Sequence, residues 1–323
     1  MGCSWRHGQR GGDRACPGAR RPGCCRSGLD RSRAARLGRS GCSHRVPLQR
    51  GGRRHHGADR HRRRGSLDVS SLEGRTAIVT GAGQGVGEGI ARTLAARGAN
   101  VVIAARRAET GEPIAASIRD GGGVAVCIPT DVTRRADVEA CVESAVDRFG
   151  ALEIVVHNAF SGAAPHRLEE LDLDRHWTPM SRTGVWAVLY CGQAAWPHLR
   201  AAGSRGRFVL VTSPSGIEGS VNIPLYSAVK AAERGIAKSL AREWGPSGVT
   251  VNCLAPVAAS PALAGAFAGN PGLRAAIEAR TPLGRVGDPV HDVGTVAAFL
   301  AGDDSGYVTG QTIVCDGGSF VGL

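Results

Sequence analysis

From residue 67 onward, short apolar runs alternate with longer amphipathic segments. The runs are rich in β-branched residues, which is typical of strands. Between them, apolar positions recur every three or four residues, and the clearest of these helical patterns cover 85–97, 134–149 and 227–244. The predicted strands are 76–80, 100–105, 124–129, 152–157, 207–212, 249–255 and 311–316.

Few polar residues interrupt the apolar runs on either face. Strands buried on both faces belong to parallel sheets covered by helices, so the pattern predicts an α/β fold. About seven strands separated by helices fit one doubly wound, Rossmann-type domain over residues 67–323. In such a sheet, ligands bind beyond the carboxyl ends of the strands. Functional residues are therefore expected directly after the predicted strands.

A glycine-rich turn follows the first predicted strand and leads into a helical pattern. It reads Gly81-Ala-Gly-Gln84-Gly85-Val86-Gly87. Glycines permit a tight turn and let backbone N–H groups and a helix N-terminus approach a pyrophosphate. A glycine cluster alone is often only a loop, but its place between a strand and a helix predicts dinucleotide binding.

The end of the second strand indicates which dinucleotide is preferred. Ala105 stands where a carboxylate would accept hydrogen bonds from the ribose of NAD, and Arg106 and Arg107 follow it. A missing carboxylate beside guanidinium groups favours the 2′-phosphate of NADP. We predict NADP(H) as the preferred cofactor, with NAD(H) as the alternative, because the two arginines could instead only begin a solvated helix.

Two further strand ends are expected to contact the same cofactor. Asp131 and Val132 follow the third strand, where an adenine edge would be recognised. Asn158 follows the fourth strand, beside the expected ribose. Both positions agree with the rule that ligands lie at the carboxyl edge of the sheet.

The positive charge of the chain lies almost entirely before residue 67. Residues 1–66 hold 18 arginines and three aspartates, whereas the remainder carries a balance of −3. This segment lacks the apolar residues needed to offset the entropy of ordering, so we predict a disordered, Arg/Gly/Cys-rich tail. We favour a mis-assigned start as its origin, with the true start near Leu67 or Val69.

Nucleic-acid binding is the alternative role of the tail, since arginine-rich segments bind phosphates through counterion release. The tail has a single aromatic residue, Trp5, and no zinc-finger or RNA-binding pattern, which disfavours this role. A salt-sensitive affinity for DNA that disappears on truncation at Leu67 would support it.

The sequence carries no pattern of a metal site, a membrane span or a disulfide framework. No stretch of 18 apolar residues occurs. The histidines have no mutual spacing suited to a metal. After residue 66, the cysteines are scattered through apolar segments, at 127, 141, 191, 253 and 315. They are expected to be reduced core residues of a cytoplasmic protein.

Tyr226 and Lys230 stand four positions apart in the stretch LYSAVKAA. Lysine is rare in this chain, since only two of its 40 basic side chains are lysines. An ammonium is tuned more readily than a guanidinium, so a site that adjusts a neighbour's acidity can require lysine. The same spacing also fits an ordinary exposed pair on a helix, so the pair alone does not decide between the two.

Taken in order, these motifs resemble the classical short-chain dehydrogenases/reductases. The resemblance covers residues 70–321, and the stretch 281–311 is most similar to 3-oxoacyl carrier-protein reductases and related keto-reductases. The motifs are Thr80 to Gly87, Asp131-Val132, Asn158-Ala159, Ser213, Tyr226-x-x-x-Lys230, Val251-Asn252 with Pro256, and the closing 309–318.

The resemblance implies an oxidoreductase that moves hydride between NAD(P)(H) and a carbonyl or secondary alcohol. Tyr226 would be the general acid or base and Ser213 would hold the carbonyl oxygen. A tyrosine ordinarily titrates near pH 10, so it needs a neighbouring cation for neutral work, and Lys230 would supply it. Lys230 would also bind the nicotinamide ribose, with Pro256 nearby.

Members of the family commonly form dimers or tetramers through two long helices that flank the site. We therefore expect a homo-oligomer, in the form of a homotetramer. The stretch 258–280 would close over the substrate, and its small apolar residues suit an apolar carbonyl or alcohol.

Three positions depart from the family's pattern. Gly184 stands where an asparagine usually holds a water in the proton relay to the lysine, so the relay is either rebuilt or weakened. Phe160 and Val257 each replace a glycine and add bulk near the expected nicotinamide and substrate. These changes motivate an alternative function, a redox-impaired cofactor sensor or scaffold. Retention of the complete serine, tyrosine and lysine set argues against it.

Overall fold

Seven parallel strands form one sheet in the order β3-β2-β1-β4-β5-β6-β7. The computed structural model describes residues 71–161 and 165–320, so the predicted tail lies outside the described residues. The strands are β1 (Thr76–Thr80), β2 (Asn100–Ala105), β3 (Val124–Pro129), β4 (Ile154–His157), β5 (Arg207–Val211), β6 (Thr250–Pro256) and β7 (Thr312–Cys315).

Helices cover both faces of the sheet. They are α1 (Gly85–Ala96), α2 (Ala108–Asp120), α3 (Arg135–Phe149), α4 (Leu173–Ser181), α5 (Ala187–Ala202), α6 (Ser215–Glu218), α7 (Pro224–Trp244), α8 (Pro261–Gly269), α9 (Pro271–Arg280) and α10 (Thr295–Ala301). A π turn, Arg182–Trp186, joins α4 to α5, and a second, Pro289–Gly294, precedes α10. Single 3-10 turns occur at Leu168–Glu170, Gly203–Arg205, Gly245–Ser247 and Asp303–Ser305.

The sheet has its switch point at β1. This strand pairs with β2 on one side, where Thr80 faces Ala104, and with β4 on the other, where Val79 faces Val156. Chain connections run outward in both directions from this pair, which opens a crevice at the carboxyl edge. The fold thus places the residues that follow β1 and β4 side by side.

Two apolar layers hold the sheet between the helices. One layer packs α1, α2 and α10 against the sheet, with Ile90, Leu94 and Leu300 fully buried. The other packs α3, α5 and α7, and includes Trp244, whose ring stacks on Trp196 at 4.7 Å. Each fully buried large apolar side chain contributes about 1.5–3 kcal/mol to folding.

The predicted fold class is confirmed, including the number of strands and their parallel arrangement. One boundary differs in a way that matters for the site. The helical pattern predicted from Ser227 begins three residues earlier, at Pro224, which occupies the first turn of α7. A proline is well suited to that turn because the backbone N–H that proline lacks would have no hydrogen-bond partner there. Tyr226 is therefore part of the helix.

Within the described residues, no helix combines the length and apolar character that crossing a membrane requires.

Candidate active site

A cleft of about 720 Å³ opens at the carboxyl edge of the sheet. Most of its lining lies at or just beyond the ends of β1 to β6, where ligands bind in open α/β sheets, and α4, the first π turn and α7 supply the rest. Nearly all the residues that the sequence predicted for the site line it: Gly81, Gln84, Gly85, Val86, Gly87, Arg106, Asp131, Val132, Asn158, Tyr226, Lys230 and Pro256.

The glycine turn has the shape that a pyrophosphate requires. Gly81 and Gly85 have φ angles of 66° and 60°, in the left-handed region that favours glycine. A Cβ added at Gly87 would overlap Nδ2 of Asn158. That amide donates to the carbonyl oxygens of Thr80, at 3.0 Å, and Gly81, at 3.2 Å. Asn158 therefore fixes the turn against the end of β4, and the residues present fit a dinucleotide.

The phosphate end of the cleft is completed by the start of α1. Gln84 stands at the N-cap and makes no side-chain hydrogen bond to the helix. Backbone N–H groups of a first helical turn have no partner within the helix, and together with the helix dipole they attract an anion. This end of the site can hold phosphate oxygens.

The end of the cleft beside β2 and β3 combines an acid and two arginines. Asp131 accepts hydrogen bonds from the N–H and the hydroxyl of Thr133, at 2.9 and 2.8 Å. Partial burial raises the pKa of Asp131, but these hydrogen bonds and the charges of Arg106 and Arg134 outweigh it and lower the pKa overall. Arg106 and Arg107 are exposed and line the cleft.

Tyr226 and Lys230 approach the cleft from the first two turns of α7. The ring of Phe160 lies edge-on to Tyr226, with centroids 5.2 Å apart. The Nζ atom of Lys230 is 4.4 Å from the centre of the Phe160 ring and 6.0 Å from that of Tyr226. Phe160 therefore lies in contact with both members of the predicted tyrosine and lysine pair, and its ring attracts the lysine ammonium.

The ammonium of Lys230 is held by hydrogen bonds to two buried residues. Lys230 is only 3% exposed, and its Nζ donates to the carbonyl oxygen of Val211 and to both carboxylate oxygens of Glu233, each at 3.0 Å. Burial raises the pKa of Glu233, while the charge of Lys230 opposes that rise. A fully buried carboxylate thus stands directly behind the predicted lysine.

Gly184 lies in the π turn between α4 and α5, facing α7. A Cβ at this position would overlap Cγ1 of Val229, and it would come within 3.1 Å of Glu233 Oε1 and 3.4 Å of the Phe160 ring. Glycine is the residue that leaves this space open. Glu233 and Phe160 therefore both lie next to the space that the glycine at 184 leaves open.

Ser213 is placed differently from the other predicted residues. It lies two residues beyond β5, is 8% exposed, and is not among the residues that line the cleft. Its Oγ accepts a hydrogen bond from the N–H of Ser215 at 3.2 Å. Its neighbour Thr212 does line the cleft, and the Thr212 hydroxyl donates to the carbonyl oxygen of Lys230 at 2.9 Å.

Sequence reasoning did not single out Glu233. Its signal was present in α7, whose buried face carries Val229, Glu233, Ala237 and Ala241 at helical spacing. An acid in the middle of an apolar stripe is rare unless it is paired. The i, i+3 spacing of Lys230 and Glu233 also indicated that the two side chains could pair.

Helices α8 and α9, which belong to the stretch predicted to close over the substrate, lie at the surface. Neither α8 nor α9 contains a buried residue. Ser260, Pro261 and Ala262, at the start of α8, line the cleft, and Arg182 and Thr178 line its other wall. The first residues of the apolar stretch that the sequence assigned to the substrate therefore line the cleft.

Burial keeps three other reactive side chains of the described residues neutral near pH 7, namely Cys141, Cys191 and His157. Burial raises the pKa of Cys141 to about 11 and that of Cys191 to about 12. Burial and the charge of Lys230 lower the pKa of His157 to about 3. No group of three or more potential metal ligands occurs among residues 71–161 and 165–320.

Comparisons with known proteins agree with this architecture. A family model described as Enoyl-(Acyl carrier protein) reductase matches residues 81–319. The cis-4-hydroxycyclohexanecarboxylate dehydrogenase of Sinomonas cyclohexanicum is 39% identical over 245 residues, which is 76% of this chain and 96% of that protein. Hydroxynaphthalene reductase-like protein Arp2 of Metarhizium anisopliae is 37% identical over 262 residues, 77% of this chain and 96% of that one.

A solved structure shows the same likeness. The gluconate 5-dehydrogenase of Burkholderia cenocepacia, in complex with NADP and tartrate, is 32% identical with a TM-score of 0.74. The match covers 80% of this chain and 99% of that one.

The chain belongs to the classical short-chain dehydrogenase/reductase family. It is an NAD(P)-dependent oxidoreductase that acts on alcohol or carbonyl groups, as the resemblance in its motifs implied.

Proposed function

We propose that the protein is an NADP(H)-preferring reductase or dehydrogenase of apolar ketones and secondary alcohols, with Tyr226 as its acid–base group. The observation that carries this proposal is the position of Tyr226. It lies in the first turn of α7 at the wall of the cleft, one turn from the buried ammonium of Lys230. A positioned phenol beside a cation is suited to exchange a proton with a carbonyl oxygen.

The side chains have distinct roles in this proposal. Tyr226 donates its proton to the carbonyl oxygen during reduction and takes it back during oxidation. Lys230 supplies the positive charge that favours the phenolate. Ser213 holds the substrate oxygen, which requires its hydroxyl to turn from Ser215 toward the cleft. The nicotinamide, when bound, supplies or accepts the hydride.

The cofactor residues follow the order of the strands. The glycine turn and the N-terminus of α1 bind the pyrophosphate. Arg106 binds the 2′-phosphate of NADP through a charge-assisted hydrogen bond, and the buried Ala105 presents no carboxylate that would repel it. Asp131 and Val132 contact the adenine, and Pro256 lies by the nicotinamide.

The substrate is expected to be an apolar, ring-containing ketone or alcohol. Support comes from the apolar residues of α8 and from the rings of Phe160 and Tyr226 at the cleft. The printed names of two relatives refer to a hydroxycyclohexanecarboxylate and a hydroxynaphthalene, each of which carries a hydroxyl group on a six-membered carbon ring.

The first prediction tests this function with Tyr226→Phe in the full chain. NADPH consumption is followed against a panel of cyclic and linear ketones, and the variant should lower kcat by a factor of about 10²–10⁴. Tyr307→Phe is the matched control, because Tyr307 is fully exposed. Equal turnover by the Tyr226 variant would exclude a tyrosine-dependent reductase. NADPH binding without turnover by the unmodified chain would favour the sensor or scaffold function.

A further inference from the structure

Glu233 is a fully buried carboxylate on the face of α7 that packs against the sheet. The residues one turn before and after it, Val229 and Ala237, are apolar and buried. A buried carboxylate costs several kcal/mol unless it is paired, and an apolar side chain of similar volume is often equally stable or better. Stability of the fold therefore gives no reason for an acid at this position.

The contacts of Glu233 are directed at one group. Both of its carboxylate oxygens accept hydrogen bonds from Lys230 Nζ at 3.0 Å. An ammonium has three donors, and the third is given to the carbonyl oxygen of Val211 at 3.0 Å. These three contacts fix the position of Lys230 Nζ.

The space that Glu233 uses is open because residue 184 is a glycine. A single methyl group at 184 would approach Glu233 Oε1 to 3.1 Å and overlap Val229. A larger side chain, such as an asparagine, would enter the volume that Glu233 and Phe160 occupy. The carboxylate and the glycine are therefore sterically coupled.

Few other charges act on the pair. His157 on β4 and Cys253 on β6 face it, and burial holds both neutral at neutral pH, with pKa values of about 3 and about 12. On α7 itself, Arg234 is turned away, with its guanidinium donating to the Gly216 carbonyl oxygen and the Thr312 hydroxyl. The charge next to Tyr226 is accordingly set by Lys230 and Glu233 together.

We propose that Glu233 is the positioning residue of Lys230 and replaces the side chain that is missing at Gly184. Its carboxylate holds the ammonium beside Phe160 and Tyr226 and offsets part of its charge. The pair, rather than a free ammonium, then sets the pH range in which Tyr226 exchanges its proton. This inference rests on the proposed acid–base role of Tyr226.

The second prediction tests this role with Glu233→Gln in the full chain, which keeps the shape and removes the charge. Without the carboxylate, the ammonium acts on Tyr226 unopposed, so the phenolate is favoured. The midpoint of Tyr226 ionisation should move to lower pH by about one unit. It is measured from the ultraviolet absorbance of tyrosinate, with Tyr226→Phe subtracted. The pH at which the rate of alcohol oxidation rises should move in the same direction.

Two controls separate a charge effect from a structural one. Glu243→Gln removes an exposed carboxylate from the same helix and should leave both midpoints unchanged. Glu233→Asp keeps the charge and should restore the midpoint of the unmodified chain. A Glu233→Gln midpoint that equals that of the unmodified chain would overturn the inference and leave Glu233 as a structural residue.

A second variant tests the same contact if Glu233→Gln does not fold. Gly184→Ala displaces the carboxylate sterically and should give a smaller shift in the same direction. Gly192→Ala, where a Cβ makes only ordinary contacts of 3.5 Å or more, is its control. An unchanged midpoint in Gly184→Ala would count against the inference. Absence of turnover in the unmodified chain would overturn the proposed function alone, because the absorbance titration does not require turnover.

Discussion

In the proposed function, the neighbouring residues Ala105 and Arg106 set the cofactor preference at the β2 edge of the cleft. Ala105 is buried, whereas Arg106 is exposed, so the Arg106 side chain can rotate toward a phosphate. A guanidinium at this point discriminates by charge, since NADP and NAD differ there by a phosphate. Preference between the two cofactors is therefore a property of one side chain in this proposal.

The third prediction concerns Arg106→Ala. Loss of a charge-assisted hydrogen bond to phosphate costs about 1.5–3 kcal/mol, so KM for NADPH should rise by a factor of about 10 to 100. KM for NADH should change less than about twofold. Initial rates with each cofactor measure both values, and NADH serves as the internal control. Equal changes for the two cofactors would show that Arg106 acts elsewhere.

Residues of the site were predictable where the motif is continuous in the chain. The glycine turn and the Tyr226 and Lys230 pair are of this kind, because local spacing on a strand end or helix fixes where they lie. The same reasoning from local spacing could also have identified Glu233. Its proximity to Gly184 was not predictable, because the two residues are brought together only by the packing of α7 against the π turn.

At the scale of elements, the two π turns differ in their place: the first joins α4 to α5, and the second leads from a loop into α10. The first, Arg182–Trp186, carries Gly184 toward α7. The second, Pro289–Gly294, packs on α1, where Gly89 lies so close to Pro289 that a Cβ would overlap it. Such turns insert an extra residue in a helix and often occur at functional sites.

Asp292 holds the second π turn in place. It accepts a hydrogen bond from Arg285 Nη2 at 2.9 Å and one from the N–H of Asp288 at 2.6 Å. The hydrogen bonds from Arg285 and from the backbone of Asp288 lower the pKa of Asp292 to about 2. Because the folded pKa lies below the unfolded one, this stabilisation is present above about pH 4 and is lost as the pH falls toward 2.

The fourth prediction follows for Asp292→Asn. At pH 7 the free energy of unfolding should fall by about 1 kcal/mol, because the pair is partly exposed and screened. The difference from the unmodified chain should shrink as the pH falls from about 4 toward 2. Urea unfolding at several pH values measures it, with the exposed Asp120→Asn as control. A difference that stays constant with pH would contradict the assigned charge.

Element types and their order were predictable because buried strands and amphipathic helices have distinct periods. The π turns were not, since a single inserted residue barely alters the apolar pattern around Gly184. The early start of α7 was also missed, although Pro224 is itself a start signal. The ends of helices and strands depend on capping and packing, and the periodicity of apolar residues gives no information on either.

At the scale of the molecule, the outer surface of α4, its π turn and α5 is unusually apolar. Leu173, Trp177, Trp186 and Leu189 are 53%, 45%, 52% and 37% exposed, respectively. Apolar surface of this kind is typical of protein–protein interfaces. We therefore place the proposed contact between copies of the chain on this surface.

The fifth prediction is that Trp186→Glu reduces the size of the assembly. Burying a carboxylate in an apolar interface without a partner costs several kcal/mol. This cost exceeds the stabilisation that a single new contact across the interface would give. Sedimentation velocity should show a tetramer or dimer for the unmodified chain and a smaller species for the variant. Val124→Glu, on the exposed edge strand β3, should leave the assembly intact. A monomeric unmodified chain would refute the proposed oligomer.

The scarcity of lysine has a further consequence for amine chemistry. Lys238 is exposed, whereas Lys230 is enclosed by Glu233, Val211 and Phe160. Because only a free, deprotonated amine attacks an acylating reagent, the reagent should modify Lys238 and spare Lys230 while the pair is intact. Acylation of Lys230, located by mass spectrometry, would then report how often this enclosure opens and whether a bound nucleotide keeps it shut.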